Sequence, residues 1–299
     1  MASSLRQRRA VPVALLVSLS LLSLVFVPAA SARPFTQLIV FGDSLSDTGN
    51  LFAATDGAIP SSPPYYAGHF SNGPIWVEFL AAELGVPVQD YALGGALTGR
   101  ANWFDDPGIP AEFPGVLDEI DLFLALNGGV ADPHALYVVW AGANDFFVAP
   151  APTTIAPAVA NLVTAVRTLA AQGARYIVVP TMPDLGRTPD GIASGFSTEL
   201  AALTAAFNVA LKTGLARGGL HVTVVDTFRL FHDIVDHPAE FGFTDVTTAC
   251  LNPDPLSVCP NPDEHLFWDS VHPTTRGHAI LADQISDRVR QPAGHRRER

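Results

Sequence analysis

The run Gln37-Leu38-Ile39-Val40-Phe41-Gly42-Asp43-Ser44-Leu45-Ser46-Asp47-Thr48-Gly49-Asn50 decides the fold. Its first half is a short apolar stretch with the composition of a buried strand. Its second half is small, polar and turn-forming, and Ser44 is its first hydroxyl. Open α/β sheets collect ligands beyond the carboxyl ends of their strands, so an exposable serine there is a candidate nucleophile. Alone the pattern is ambiguous, because Ser, Asp and Gly also fill ordinary turns.

The same unit recurs along the chain. Apolar runs at 86–91, 135–140, 176–180 and 221–226 read as further strands. Helical periodicity occupies 72–84, 116–126, 155–171, 198–216 and 278–289. The run at 135–140 is apolar throughout, as a central strand covered on both faces would be. Pro74 and Gly85 punctuate the ends of the first helix. Strands alternating with helices of this length predict a three-layer α/β/α fold around a mostly parallel sheet of about five strands. The Pro-, Gly- and Asp-rich segments 53–69 and 101–114 are expected to border the substrate entrance.

A second chemistry-bearing stretch is Trp268-Asp269-Ser270-Val271-His272. A serine hydroxyl is a weak nucleophile and needs a base within hydrogen-bond reach. His272 can be that base, and Asp269 can accept its other ring N–H and fix the tautomer. Asp43 reads as a turn former, and Asp145 as a support for its own loop. His232-Asp233 and Asp236-His237 read as the solvated face of a helix, not a metal cluster.

Residues 1–32 have the pattern of a cleaved signal peptide. Arg6, Arg8 and Arg9 form a basic start, 11–27 is apolar, and Ala30-Ser31-Ala32 supplies the cleavage site. Seventeen residues, interrupted by Ser and Pro, are short for a membrane span. Cleavage leaves one domain over 33–299, secreted or periplasmic, with no stable membrane insertion and expected to be monomeric. Losing the three arginines leaves 14 cationic against 29 acidic side chains, a net charge of −15. That field disfavours nucleic acid and anionic membranes as partners. Soluble esters of short or medium acyl chains are therefore expected to react more readily than phospholipid. Cys250 and Cys259 are the chain's two cysteines. In an exported chain such a pair reads as one disulfide stapling a surface loop.

Four blocks, in order, resemble the GDSL, or SGNH, hydrolases: Phe41 to Asn50, Tyr91-Ala92-Leu93-Gly94-Gly95-Ala96, Gly142-Ala143-Asn144-Asp145 and Asp269-Ser270-Val271-His272. The subgroup most similar contains secreted bacterial esterases, phospholipases, lipid acyltransferases and haemolysin-like lecithinases. The resemblance implies a flavodoxin-like sheet, no metal and no organic cofactor. It implies a Ser44–His272–Asp269 triad that cleaves carboxylic esters of small molecules or lipids through an acyl-enzyme on Ser44. It also implies an oxyanion hole formed by the N–H groups of Ser44 and Gly95 and the amide of Asn144. Gly94 competes with Gly95, which fits the block better, and Asn144 also suits an Asx turn. Ser44, Gly95 and Asn144 each follow one of the first three expected strands, so the topology itself gathers them. Phospholipase, lipid acyltransferase and carbohydrate O-deacetylase activities are the enzymatic alternatives; a catalytically silent binding module is the other.

Overall fold

The computed structural model describes residues 35–105 and 113–290. The expected signal peptide, the end of the chain from residue 291 and part of the 101–114 loop lie outside them. In chain order the first elements are β1 (Leu38–Gly42), α1 (Asn50–Ala54), α2 (Trp76–Leu84), β2 (Val88–Asp90), α3 (Val116–Leu126), β3 (Leu136–Trp140) and α4 (Ala143–Val148). There follow α5 (Pro152–Ala171), β4 (Tyr176–Pro180), α6 (Pro189–Ala193), α7 (Ser197–Arg217), β5 (Val222–Val225) and α8 (Thr227–Asp236). The last are β6 (Asp245–Ala249), β7 (Leu251–Pro253), β8 (Leu256–Val258), β9 (His265–Phe267) and α9 (Thr275–Arg290).

β1 to β5 form one parallel sheet in the order β2-β1-β3-β4-β5. The chain winds one way from β1 to β2 and the other way from β3 onward. A crevice therefore opens between the carboxyl ends of β1 and β3. Every residue of β1 and β3 is buried. Their alternation of side chains feeds two cores. Leu38, Val40, Val138 and Trp140 meet α2, α8 and α9 on one face. Ile39, Phe41, Tyr137 and Val139 meet α3, α5 and α7 on the other. Side chains of this size each contribute about 1.5–3 kcal/mol on full burial. α5 is long and apolar enough to cross a membrane. Here its Leu162, Val166 and Leu169 stripe is buried in the second core.

One local expectation shifts. The first long helix begins at Trp76, not residue 72, because the preceding residues are engaged elsewhere. Asn72 Oδ1 accepts the Thr275 N–H at 2.8 Å, and the Pro74 carbonyl accepts the Thr275 hydroxyl at 2.7 Å. Glu78 then accepts the Ile75 N–H at 2.8 Å and closes the start of α2. In the 232–237 segment Asp233, Asp236 and His237 are exposed, as expected of a solvated face, and His232 is half-buried. His232 Nε2 lies 2.9 Å from the buried Asp184, and Asp236 pairs with Arg187 at 2.6 Å, so α8 is tied to the turn after β4.

Candidate active site

The turn after β1 is built by its own acids. The Asp43 carbonyl accepts the N–H groups of Ser46 and Asp47, and its Oδ1 accepts that of Leu45. This tight turn leaves the Ser44 side chain pointing off the strand end. Asp43 is buried, and burial pushes its carboxyl up to about 7. Gly42 is required by packing, since a Cβ there would strike the Trp140 carbonyl. Its N–H donates to the buried Glu119 at 2.8 Å.

The second half of the site is a loop closed by Trp268 N–H donating to the His272 carbonyl at 2.8 Å. Asp269 Oδ1 accepts the N–H groups of Val271 and His272, at 2.9 and 2.7 Å. Its Oδ2 is thereby turned toward the imidazole and accepts Nδ1–H of His272 at 2.7 Å. On the ring's far side the Ser44 hydroxyl donates to Nε2 at 2.7 Å. The loop cannot drift, because the Ser71 hydroxyl holds the Pro273 carbonyl at 2.9 Å and Thr275 is bonded to Asn72 and Pro74. Burial drives the Asp269 carboxyl up, but the neighbouring His272 and the loop N–H groups prevail and hold it below its ordinary value. Burial likewise pulls His272 down, while the charge and hydrogen bond of Asp269 raise it above its ordinary value.

The ambiguity between the paired glycines resolves on hydrogen bonding. Gly94 N–H is consumed by Asp47 Oδ2 at 2.7 Å. Gly95 lies on the cavity wall beside Ser44 and Asn144, and its N–H donates to no described residue. The same holds for the N–H of Ser44. Gly95 has φ +81°, and a Cβ there would strike Asn102 Oδ1. No other residue type fits that position. Asn144 is buried and donates one amide hydrogen to the Ala96 carbonyl at 3.0 Å, which leaves its second for the cavity. Asp145 accepts both the N–H and the hydroxyl of Thr98, fixing the third block to the second.

Tyr65 has no sequence signal of its own. It lies in the 53–69 loop, which was expected to line the entrance and instead backs the acid. Its hydroxyl donates to Asp269 Oδ2 at 2.7 Å, the same oxygen that receives His272. Tyr65→Phe is expected to lower kcat about tenfold with KM unchanged, since hydrogen bonds to charged acceptors contribute about 1.5–3 kcal/mol and only part is felt in the transition state. Steady-state kinetics on one soluble ester checks this.

Cys250 and Cys259 are bonded. The bridge packs with Leu251 and Trp268, and with Tyr65 beside them. Cys250 and Leu251 donate their N–H groups to the carbonyls of Phe267 and Trp268, at 3.1 and 2.7 Å. The staple therefore braces the residue immediately before Asp269. Closing so small a loop stabilises by roughly 2–3 kcal/mol. Reduction should expose two thiols, lower the melting temperature by several degrees and depress activity. Two thiols titrating in the native protein would contradict the bond.

Ser44, Asn144, Gly95 and His272 converge on a cavity of about 420 Å³. Comparison with known proteins agrees with this constellation. Residues 38–285 match the family model described as GDSL-like lipase/acylhydrolase. The phosphatidylcholine-sterol acyltransferase of Aeromonas hydrophila is 30% identical over 86% of this chain and 91% of its own. The thermolabile hemolysin of Vibrio parahaemolyticus is 26% identical, over 87% of this chain and 65% of its own. Esterase EstA of Pseudomonas aeruginosa is 28% identical, over 88% and 48%. The chain thus spans about two thirds of the hemolysin and half of EstA, but nearly all of the acyltransferase. With a family match running from β1 into α9, the chain belongs to the GDSL-like lipase/acylhydrolase family.

Proposed function

We propose that residues 33–299 form one exported catalytic domain that hydrolyses carboxylic esters through an acyl-enzyme on Ser44. The observation that carries this reading is the unbroken relay from Asp269 Oδ2 through His272 to Ser44 Oγ. His272 Nε2 takes the Ser44 proton as Oγ bonds to the ester carbonyl carbon. The negative charge that develops on the carbonyl oxygen meets the N–H groups of Ser44 and Gly95 and the Asn144 amide. Collapse breaks the bond to the alcohol oxygen, which receives the proton from Nε2. Water then repeats the sequence in reverse and releases the carboxylic acid. An alcohol in place of that water gives acyl transfer instead, a second reading favoured by the acyltransferase named above. Tyr65, the disulfide and the residues of the relay are all protein groups, and these steps require nothing else.

A serine-directed phosphonate should inactivate the protein with one label on Ser44, and a panel of soluble esters should be hydrolysed before labelling only. Hydrolysis that survives stoichiometric labelling would refute the reading. Adding a sterol or simple alcohol and measuring ester against free acid decides between hydrolysis and transfer. Asn144→Ala should lower kcat by about 10²–10³ with little change in KM, because its amide serves the oxyanion and not the bound ester. If Asn144 served only the turn after β3, the variant would instead lose thermal stability and raise KM.

A further inference from the structure

The cavity at Ser44 is lined by two sets of residues of opposite character. Trp103, Phe104 and Phe147 form a rim, of which Trp103 is 49% exposed. Trp140, Leu230, Phe231, Ile234, Phe267 and Leu281 form the other set, and none is more than 9% exposed. All six belong to the core on the α2–α8–α9 face of the sheet. A close-packed interior keeps few voids larger than a water molecule, so an apolar recess inside a core requires an occupant or a use. We infer that this buried recess between β3, α8, β9 and α9 is the binding pocket for a medium-length, unbranched hydrocarbon acyl chain. The inference rests on Ser44 being the nucleophile.

Three features select that ligand. The six deep residues offer no spare polar partner: the Trp140 indole N–H, the one side-chain donor among them, is already donated to the Thr181 carbonyl at 3.1 Å, the neighbouring Thr227 hydroxyl donates to the same carbonyl, and the polar lining residues Asp190 and Ser270 are exposed. A hydroxylated acyl group or a sugar ring would be buried there without hydrogen bonds, which is costly. Ser44 and His272 line the same cavity as the deep residues, so a chain lying along them can keep its carbonyl at the nucleophile. The rim is the solvent-facing side, so the alcohol can depart while the acyl group remains covered on Ser44. An acetyl group has a single methyl to bury against so extended an apolar wall, which sets this pocket apart from that of an acetate-specific enzyme.

The test is a series of p-nitrophenyl esters from acetate to decanoate. In the wild-type protein kcat/KM should rise with chain length, by up to about fourfold for each methylene that enters the recess, and fall once it is full. Ile234→Trp should cut the octanoate-to-acetate ratio of kcat/KM at least tenfold by filling the deep end. Phe231→Leu should move the maximum to longer chains. Melting temperatures report whether each variant folds, and the wild-type profile stands without them. A wild-type profile that is flat or greatest at acetate overturns the pocket while leaving the esterase intact. So do folded variants with the wild-type profile. Absence of hydrolysis for every ester would instead strike at the proposed activity.

Discussion

Ser44→Ala should lower kcat for ester hydrolysis by about 10⁶, the scale seen when a serine nucleophile is removed from a comparable relay. The melting temperature should stay nearly unchanged. Ser44 Oγ donates to His272 Nε2 and sits at the tip of a turn whose geometry is set by Asp43 and by backbone hydrogen bonds. Removing the oxygen therefore costs little packing. It removes the atom that bonds to the carbonyl carbon, and no described neighbour stands in for it at that position. Serine at 46 is not a substitute, because it is fully buried below the turn. Turnover by the purified variant within tenfold of the wild type would place the nucleophile elsewhere. A large loss of melting temperature would mean that the turn, not the chemistry, had failed.

Asp269→Asn should cost about 10⁴ in kcat, as expected when the acid of such a triad becomes an amide. An asparagine can present its NH₂ to His272 Nδ1, and then Nε2 carries the proton and cannot accept one from Ser44. The pH dependence gives a second readout. The proposed mechanism needs His272 neutral, so kcat/KM should fall as pH drops through the His272 value. Burial lowers that value, but Asp269 with its charge and hydrogen bond, aided by the charge of Asp43, raises it above 6.5 in the native site. The acid limb of the wild type should therefore lie above 6.5. In Asp269→Asn the attraction is gone and burial remains, so the limb should move to lower pH. Profiles of kcat/KM measured from acid to mildly alkaline pH test both halves. A limb that does not move would mean that Asp269 is not what holds the imidazole.

The parts of this molecule that were legible in the sequence share a physical reason. β1 and β3 bury both faces, so their residues form unbroken apolar runs, and Ser44 and Asn144 follow them directly. Asp269 and His272 are legible because three residues of separation allow one carboxylate to bond its own loop and the imidazole together. Tyr65 was not legible: its partner is 204 residues away, and it lies in a loop with no periodicity. The glycine doublet could not be assigned from residues alone, because the deciding fact is that Asp47 takes the Gly94 N–H. The start of α2 shifted for a similar reason, since Thr275, from the far end of the chain, holds Asn72 and Pro74. β6 to β9 are only three to five residues each, too short for a hydrophobic pattern to announce them. Short-range pattern carries the scaffold, and long-range hydrogen bonds carry the remainder.

The proposed nucleophile and its base are separated by 228 residues. Ser44 lies in the first turn of the sheet, and His272 just before the last helix. A growing chain accordingly carries Ser44 through the next 228 residues with nothing to activate it. The base follows far later, and it is held only once Ser71, Asn72 and Pro74 have received Pro273 and Thr275. Ester cleavage by this relay thus cannot precede the synthesis of residue 272. A product cut short before residue 272 would be inert toward the lipids and esters of the cell that makes it, whatever the state of its sheet.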